Sequence, residues 1–345
     1  MTPETVNAET VQAGVPNKPR TALRLVKTND LTRNQWLDVR KQGIGSSDAA
    51  AAVGLNPYQS ALELWMVKTG RDANLPKVDP NDDTTPMYWG TLLEHIVAAH
   101  YAKRTGRKVR RINAVLQHPD ADKRWMLANI DREVMGDPDV SILECKTAGL
   151  NGARLWREGV PEYVQLQVQH QLAVTGKAAA DVAVLICGQD LKIFRIRRDE
   201  RLIANLIELE RAFWQCVVED QQPQADGSES AGQALRALYP QGNASSRDFS
   251  EDRTLSAAFA DLVAIRHVIA QNERIEAELK QRLQQAMGDA SKATFETGHV
   301  TWKRSQDGTE LNVPALLKDQ PTLLSHYALT KPGSRRFLVT EHKPT

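Results

Sequence analysis

The stretch Asp131 to Lys146 leaves its backbone few choices. It runs Asp131-Arg-Glu-Val-Met-Gly-Asp-Pro-Asp-Val-Ser-Ile-Leu-Glu144-Cys145-Lys146. An apolar run ends at Asp131, Gly136, Asp137 and Pro138 make a turn, and Val140 to Lys146 reads as a short strand. Alternate side chains of a strand share a face, so Glu144 and Lys146 point together and Cys145 points away. If the strand carrying Asp131 pairs with this one, its carboxylate approaches the Glu144–Lys146 pair. Two neighbouring carboxylates are a hard, oxygen-rich site suited to Mg²⁺. A lysine beside them can orient a water or screen phosphoryl charge. A solvated hairpin face is the plainer explanation of the same three residues.

Composition narrows the classes. The chain has 345 residues, with 25% charged and 41% hydrophobic, and a formal charge of only +1. No global basic field announces nucleic acid, so any DNA contact rests on local clusters. Lys108, Arg110 and Arg111 form one basic cluster. Arg154, Trp156 and Arg157 form a surface that could touch a nucleic-acid backbone or base, with packed surface charge the plainer reading. The three cysteines, Cys145, Cys187 and Cys216, lack CxxC spacing. That argues against a zinc site, an iron–sulfur cluster or a disulfide framework and suits a reducing cytoplasm. No apolar run approaches the roughly 20 residues of a membrane span.

In chain order, residues 1–30 read as a disordered tail without apolar periodicity. Thr32 caps a helix through Trp36 and Arg40. Gly43-Ile-Gly-Ser-Ser-Asp48 then forms a small-residue turn at a helix start, which is either plain capping or a phosphate seat. A second helix spans Ser60 to Lys68. The polar loop from Asp72 to Pro86 has lid-like length. A helix follows to Thr105, with Leu93, Ile96, Val97, His100 and Tyr101 as its apolar face and Glu94 at the border. Strands are expected over Lys108 to Gln117 and over Trp125 to Ile130, the latter leading into Asp131.

Tyr163 to Leu172 alternates glutamine with apolar residues, which formally predicts a strand. Its good helix formers and Pro161 favour a helix instead. On that helix Gln165 and Gln169 share one face, and Gln167 and Gln171 another. A hairpin spans Asp181 to Ile196, and an amphipathic helix runs from Asp199 to Glu219. Residues 221–250 read as a linker. The remainder, 251–345, reads as a separate unit. It has a long helix from Thr254 to Met287 with a near-heptad apolar row, a small hairpin after Gly288, and a last strand at Arg335 to Val339.

The pieces in this order resemble the YqaJ-type viral recombinases. These group with phage lambda exonuclease in the PD-(D/E)xK nuclease superfamily. The resemblance rests on Trp36-Leu-Asp-Val-Arg40, Gly43-Ile-Gly-Ser-Ser47-Asp, Trp89-Gly-Thr-Leu-Leu-Glu94, Asn129-Ile-Asp131, Leu143-Glu144-Cys145-Lys146, and Tyr163 with the glutamine segment. It implies an α+β fold, with a central mixed sheet flanked by helices over residues 31–220 and a C-terminal helical and β extension.

The resemblance also implies site roles. Glu94, Asp131 and Glu144 would be the metal acids, with the Cys145 carbonyl as a further ligand. Lys146 would be the active-site lysine, and Gln167 or Gln169 the helix glutamine. Arg40 and Ser47 would hold a DNA terminal phosphate. Two departures are Arg132 after the aspartate, where the lambda-like protein has glycine, and Ile130 in place of the usual proline.

The implied function is a Mg²⁺-dependent (or Mn²⁺-dependent) exonuclease acting 5′→3′ on duplex DNA ends and leaving 3′ overhangs. Its implied setting is the bacterial host cytoplasm, as a homo-oligomer with a single-strand annealing partner and no membrane. A non-catalytic DNA-binding or assembly module and a site-specific endonuclease are the competing classes.

Overall fold

A computed structural model describes residues 21–331 and 333–341. It divides into two compact units, the first ending at Tyr239 and the second beginning at Pro240.

The strands of the first unit are β1 (Leu23–Lys27), β2 (Ile44–Gly45), β3 (Lys108–Arg110), β4 (Ala114–Gln117), β5 (Met126–Ala128), β6 (Arg132–Met135), β7 (Ile142–Ala148), β8 (Ala179–Ile186) and β9 (Asp190–Arg197). Its helices are α1 (Arg33–Lys41), α2 (Ala49–Ala52), α3 (Ala61–Lys68), α4 (Pro86–Thr105), α5 (Glu162–Thr175), α6 (Glu200–Val218) and α7 (Glu229–Leu238). Five strands form the main sheet in the order β3-β6-β7-β8-β9, and four form a smaller sheet in the order β1-β4-β5-β2. β6 and β7 are antiparallel, β7 and β8 parallel. A parallel neighbour demands a crossover, and α5 supplies it. The expected α+β class, with a mixed sheet flanked by helices, is therefore what the chain adopts.

The sheet separates two apolar layers. On one face Ile142, Val182 and Val184 pack under Val164, Val168 and Leu172 of α5. Each such aliphatic side chain contributes roughly 1.5–3 kcal/mol on burial. On the other face Val134, Leu143, Cys145 and Ala183 pack under Val97, Ala98 and Tyr101 of α4. The strand's two-residue period therefore sends Glu144 and Lys146 to the α5 side and Cys145 to the α4 side.

Several sequence expectations need correction. Residues 1–20 of the expected tail lie outside the described residues, but Leu23–Lys27 is a strand, paired antiparallel with β4. The expected strand over Lys108 to Gln117 is two, because residues 111–113 pass from one sheet to the other. β5 stops at Ala128, so Asp131 stands at the start of β6 rather than at the end of the preceding strand.

The sheet-facing stripe of α4 is Val97, Ala98 and Tyr101, while Ile96 is 37% exposed and His100 is exposed. Glu94 lies one turn before Val97 and Ala98, on that inward stripe. The expected linker contains α7, whose Ala231, Ala234 and Ala237 are buried. Small side chains let this helix approach α3 closely; Ser230 binds Ser60 and Glu63 there.

The second unit holds α8 (Arg253–Met287), the hairpin of β10 (Lys292–Phe295) and β11 (Gly298–Thr301), α9 (Val313–Asp319) and α10 (Thr322–Tyr327). No residue of α8 is buried, and its row Leu255, Phe259, Ile265, Ile269, Ile275, Leu279 and Leu283 is exposed. Arg335 to Val339 forms no strand. Among the described residues no helix is long and apolar enough to cross a membrane.

Candidate active site

The antiparallel register places Arg132 opposite Leu143. Extended by one residue, it sets Asp131 level with Glu144. Asp131 Oδ2 accepts the Cys145 backbone N–H at 2.7 Å, which ties the two strand ends together. Lys146 Nζ donates to Glu144 Oε1 at 2.7 Å and to Gln167 Oε1 at 2.9 Å. Gln167 Nε2 donates to Glu144 Oε1 at 2.6 Å, and Gln171 Nε2 donates to Glu144 Oε2 at 2.7 Å. Glu144 is 3% exposed, and both of its carboxylate oxygens are engaged. Four residues on a helix is one turn, so Gln167 and Gln171 clamp the carboxylate from the same face.

The other glutamine pair serves the fold. Gln169 Nε2 donates to the Arg197 carbonyl, and its Oε1 accepts from Asp199 N–H, joining α5 to the start of α6. Gln165 binds the Val160 carbonyl. The expectation for Gln169 is thus corrected: it is buried, on the side of α5 away from Glu144, while Gln171 takes the second place at the acid. The shared face of Gln167 and Gln171 was visible in their spacing; which face met the sheet was not. His170, between them, is fully buried against Glu210 at 2.7 Å and the Leu127 carbonyl at 3.0 Å. Burial alone would push its imidazole down, but the Glu210 carboxylate outweighs this and holds it above the usual range.

Electrostatics mark Asp131 out. Burial first, then the Glu144 carboxylate, raise its pKa to about 8, with a further push from Glu94. Lys146 and the Cys145 N–H oppose this and do not win. Lys146 itself moves the other way. Burial disfavours its charge, but Glu144 and Asp131 outweigh that and keep it a firm cation. The Cys145 thiol faces the α4 layer, and burial pushes its pKa up, so only its backbone faces the acids.

Glu94 reaches the same place from α4. It lines, with Asp131, Asn129, Trp36, Asn29 and Arg111, a polar cavity of about 410 Å³. Its Oε1 is held by Arg132 Nη1 at 2.5 Å, because Arg132 projects to the α4 side of β6. A hard cation here would take oxygens of Asp131, Glu144 and the Cys145 carbonyl, with Glu144 giving up a hydrogen bond from Lys146, Gln167 or Gln171 to receive it. Among the described residues no three His, Cys, Asp or Glu side chains already form a ligating group. The donor chemistry still fits a divalent cation. Crowded carboxylates that hold a proton to about pH 8 are what such an ion relieves.

A second cluster lies beside the first. Arg40 Nη2 donates to Ser47 Oγ at 2.8 Å and to Asp48 Oδ1 at 2.5 Å. Lys68 Nζ donates to Asp48 Oδ2 at 2.7 Å and to the Arg40 carbonyl at 2.8 Å. Burial would raise the Asp48 carboxyl, but Arg40 and Lys68 bring it down to about 2. Asp48 and Lys68 were not singled out from sequence as a pair; twenty residues apart on different helices, they carry no local signal. Close packing explains the glycines. A Cβ on Gly43 would meet the Trp125 carbonyl oxygen at 2.3 Å, and one on Gly45 would meet Asp48 Oδ2 at 3.2 Å.

The cluster opens on a cavity of about 540 Å³. Arg40, Lys68 and Asp48 sum to one positive charge, which Asp38, Lys41 and Asp72 at the mouth offset. Recognition there rests on the guanidinium fork and hydroxyl rather than on a field. Trp36 links the two cavities, with its ring 4.9 Å from the Arg40 guanidinium.

The YqaJ-like viral recombinase domain matches residues 35–178. Protein YqaJ of Bacillus subtilis (strain 168) is 34% identical over 287 residues, covering 81% of this chain and 86% of that one. The chain belongs to the YqaJ family. Among solved structures, it is similar to the alkaline exonuclease LHK-Exo of Laribacter hongkongensis, at 21% identity over 55% of this chain and 94% of that one, with a TM-score of 0.44. It is also similar to LHK-Exo in complex with dAMP, at 22% identity with the same coverage and a TM-score of 0.43. In this YqaJ-family chain Asp131, Glu144, Lys146, Gln167 and Glu94 all come to the one end of the β6–β7 pair, and Arg40 meets Ser47 nearby.

Proposed function

We propose that the chain is a metal-dependent deoxyribonuclease of the PD-(D/E)xK type. It digests linear duplex DNA 5′→3′ from an end and leaves 3′ overhangs for strand annealing. The observation that carries this reading is Asp131 level with Glu144 across β6 and β7, with Lys146 bound to Glu144 and the cavity open beside Asp131. Buried acids pressed together with a lysine are costly unless chemistry needs them.

Asp131, Glu144 and the Cys145 carbonyl would hold Mg²⁺ or Mn²⁺, with Glu94 joining on release of Arg132. When bound, the ion polarises the scissile phosphate and lowers the pKa of a water. Lys146 stays protonated and is placed to orient the attacking water or screen charge on the phosphate oxygens. Gln167 and Gln171 keep Glu144 aimed by donating to both of its oxygens. Arg40 and Ser47 take the 5′-terminal phosphate, where a planar fork matches three oxygens. The enzyme would act in a bacterial host cytoplasm, as a homo-oligomer and with an annealing protein.

One gel tests the reading, using full-length protein with linear and circular duplexes and Mg²⁺, with and without EDTA. Progressive loss from the ends, abolished by EDTA and by Glu144→Ala, is the expected result. Discrete fragments would make it an endonuclease, and binding without loss of DNA would leave only a binding module.

A further inference from the structure

The acid-lined cavity has a wall that the catalytic reading does not use. Residues 111–113 carry the chain from β3 in the main sheet to β4 in the smaller one. Thr28 N–H donates to the Asn113 carbonyl at 3.1 Å, which fixes the end of β1 against this crossing. Arg111 and Asn113 from the crossing, with Thr28 and Asn29 from the end of β1, line the same cavity as Glu94 and Asp131. Thr28 and Asn29 lie before the matched domain, which begins at residue 35.

The arginines around this site differ in their partners. Arg132 is bound to Glu94, and Arg110 to Glu133. Arg111 lines the cavity, is exposed, and has no ion pair among the described residues. A guanidinium at an acid-lined mouth that pairs with neither acid is a charge held for something else. An incoming phosphodiester meets repulsion from the acids, and a cation in the same cavity offsets it. A volume of about 410 Å³ is enough for one nucleotide unit.

We propose that Arg111 grips a backbone phosphate of the strand being cut, in the cavity it shares with Asp131, with the Asn29 and Asn113 amides lining that cavity for the same nucleotide. The proposal rests on the DNA-cleaving reading of the acids and adds a substrate contact that differs from the Arg40 pocket. Arg111 binds substrate and takes no part in activating water, so its loss falls on affinity.

The test uses the full chain, its Arg111→Ala and Arg111→Lys variants, and Arg110→Ala as a neighbouring control. A fluorescein-labelled, 5′-phosphorylated duplex is bound in EDTA across a salt series, and digestion in Mg²⁺ is measured at steady state. Arg111→Ala is expected to raise KM about tenfold with kcat within about twofold. It should also shallow the log-affinity against log-salt slope by about one phosphate contact. Arg111→Lys should recover most of the slope, since charge dominates it, and Arg110→Ala should match the wild type. Arg111 is exposed, so its variants should melt with the wild type.

Wild-type KM and salt slope in Arg111→Ala, with DNA still digested, would overturn the Arg111 assignment alone. A fall in kcat at unchanged KM would overturn it too. A wild-type chain that neither binds nor digests duplex DNA would overturn this proposal and the nuclease reading together.

Discussion

Replacing Asp131 by asparagine should cost the protein its chemistry and yet stabilise its metal-free fold at high pH. The carboxyl titrates near 3.8 in an unfolded chain and at about 8 in the fold. The folded state therefore holds the proton more tightly. This stabilisation is complete below the unfolded value and is lost as pH rises through the window that closes near 8. A shift of about four pH units bounds the effect at about 6 kcal/mol. Asp131 is only partly buried, and water and side-chain relaxation reduce the figure, to roughly 2 kcal/mol on the scale of single-residue effects. Asparagine keeps an oxygen for the Cys145 N–H and removes the charge that Glu144 and Glu94 repel.

The assay is urea denaturation of wild type and Asp131→Asn in EDTA at pH 6 and pH 9. At pH 6, about midway between 3.8 and 8, the variant should already lead by about half of its final margin. At pH 9 the variant should be more stable by about 2 kcal/mol. Millimolar Mg²⁺ should then stabilise the wild type by mass action and leave the variant largely unmoved. Parallel pH profiles for the two proteins, with no response to Mg²⁺, would refute the claim that Asp131 is a crowded acid awaiting a cation.

Three further outcomes follow from the packing. Asp48→Asn strips the buried Lys68 of its counter-charge and should cost roughly 3–5 kcal/mol in thermal or chemical denaturation. In the wild type the depressed Asp48 pKa makes this contribution full above the usual carboxylate pKa, and it is lost as pH falls towards 2. Gly43→Ala puts a methyl group 2.3 Å from the Trp125 carbonyl oxygen and should lower the melting temperature sharply, whereas Gly188→Ala, with open space around it, should show only the smaller cost of its left-handed backbone. Truncation after Tyr239 should leave a soluble, folded first unit on size exclusion and proteolysis, while truncation after residue 220 removes α7, bares the α3 surface and should yield aggregate.

Strand pleating and helix spacing are local, and what depends on them was legible along the chain. The period of two put Glu144 and Lys146 on one face and Cys145 on the other before any partner was known. The four-residue step paired Gln167 with Gln171 and Gln165 with Gln169. The turn at Gly136-Asp137-Pro138 announced the β6–β7 pairing, whereas the roles of Arg40 and Ser47 came from the family resemblance and from no local period.

Rotation and docking are not local. Which glutamine pair met Glu144 depended on the roll of α5 about its axis, set by Val164, Val168 and Leu172 against the sheet. Whether Glu94 stood free depended on Arg132, which β6 pleats toward α4. Asp48 and Lys68 became partners only when α3 packed beside the Gly43–Gly45 turn. Residues 229–238 do carry an amphipathic spacing, Ala231, Ala234 and Ala237, but it is built from small side chains inside a Gln-, Gly- and Ser-rich stretch, and only packing on α3 shows what it meets, just as β1 is completed by the edge of β4. Short-range periodicity decides which side chains share a face, and long-range packing decides what that face meets.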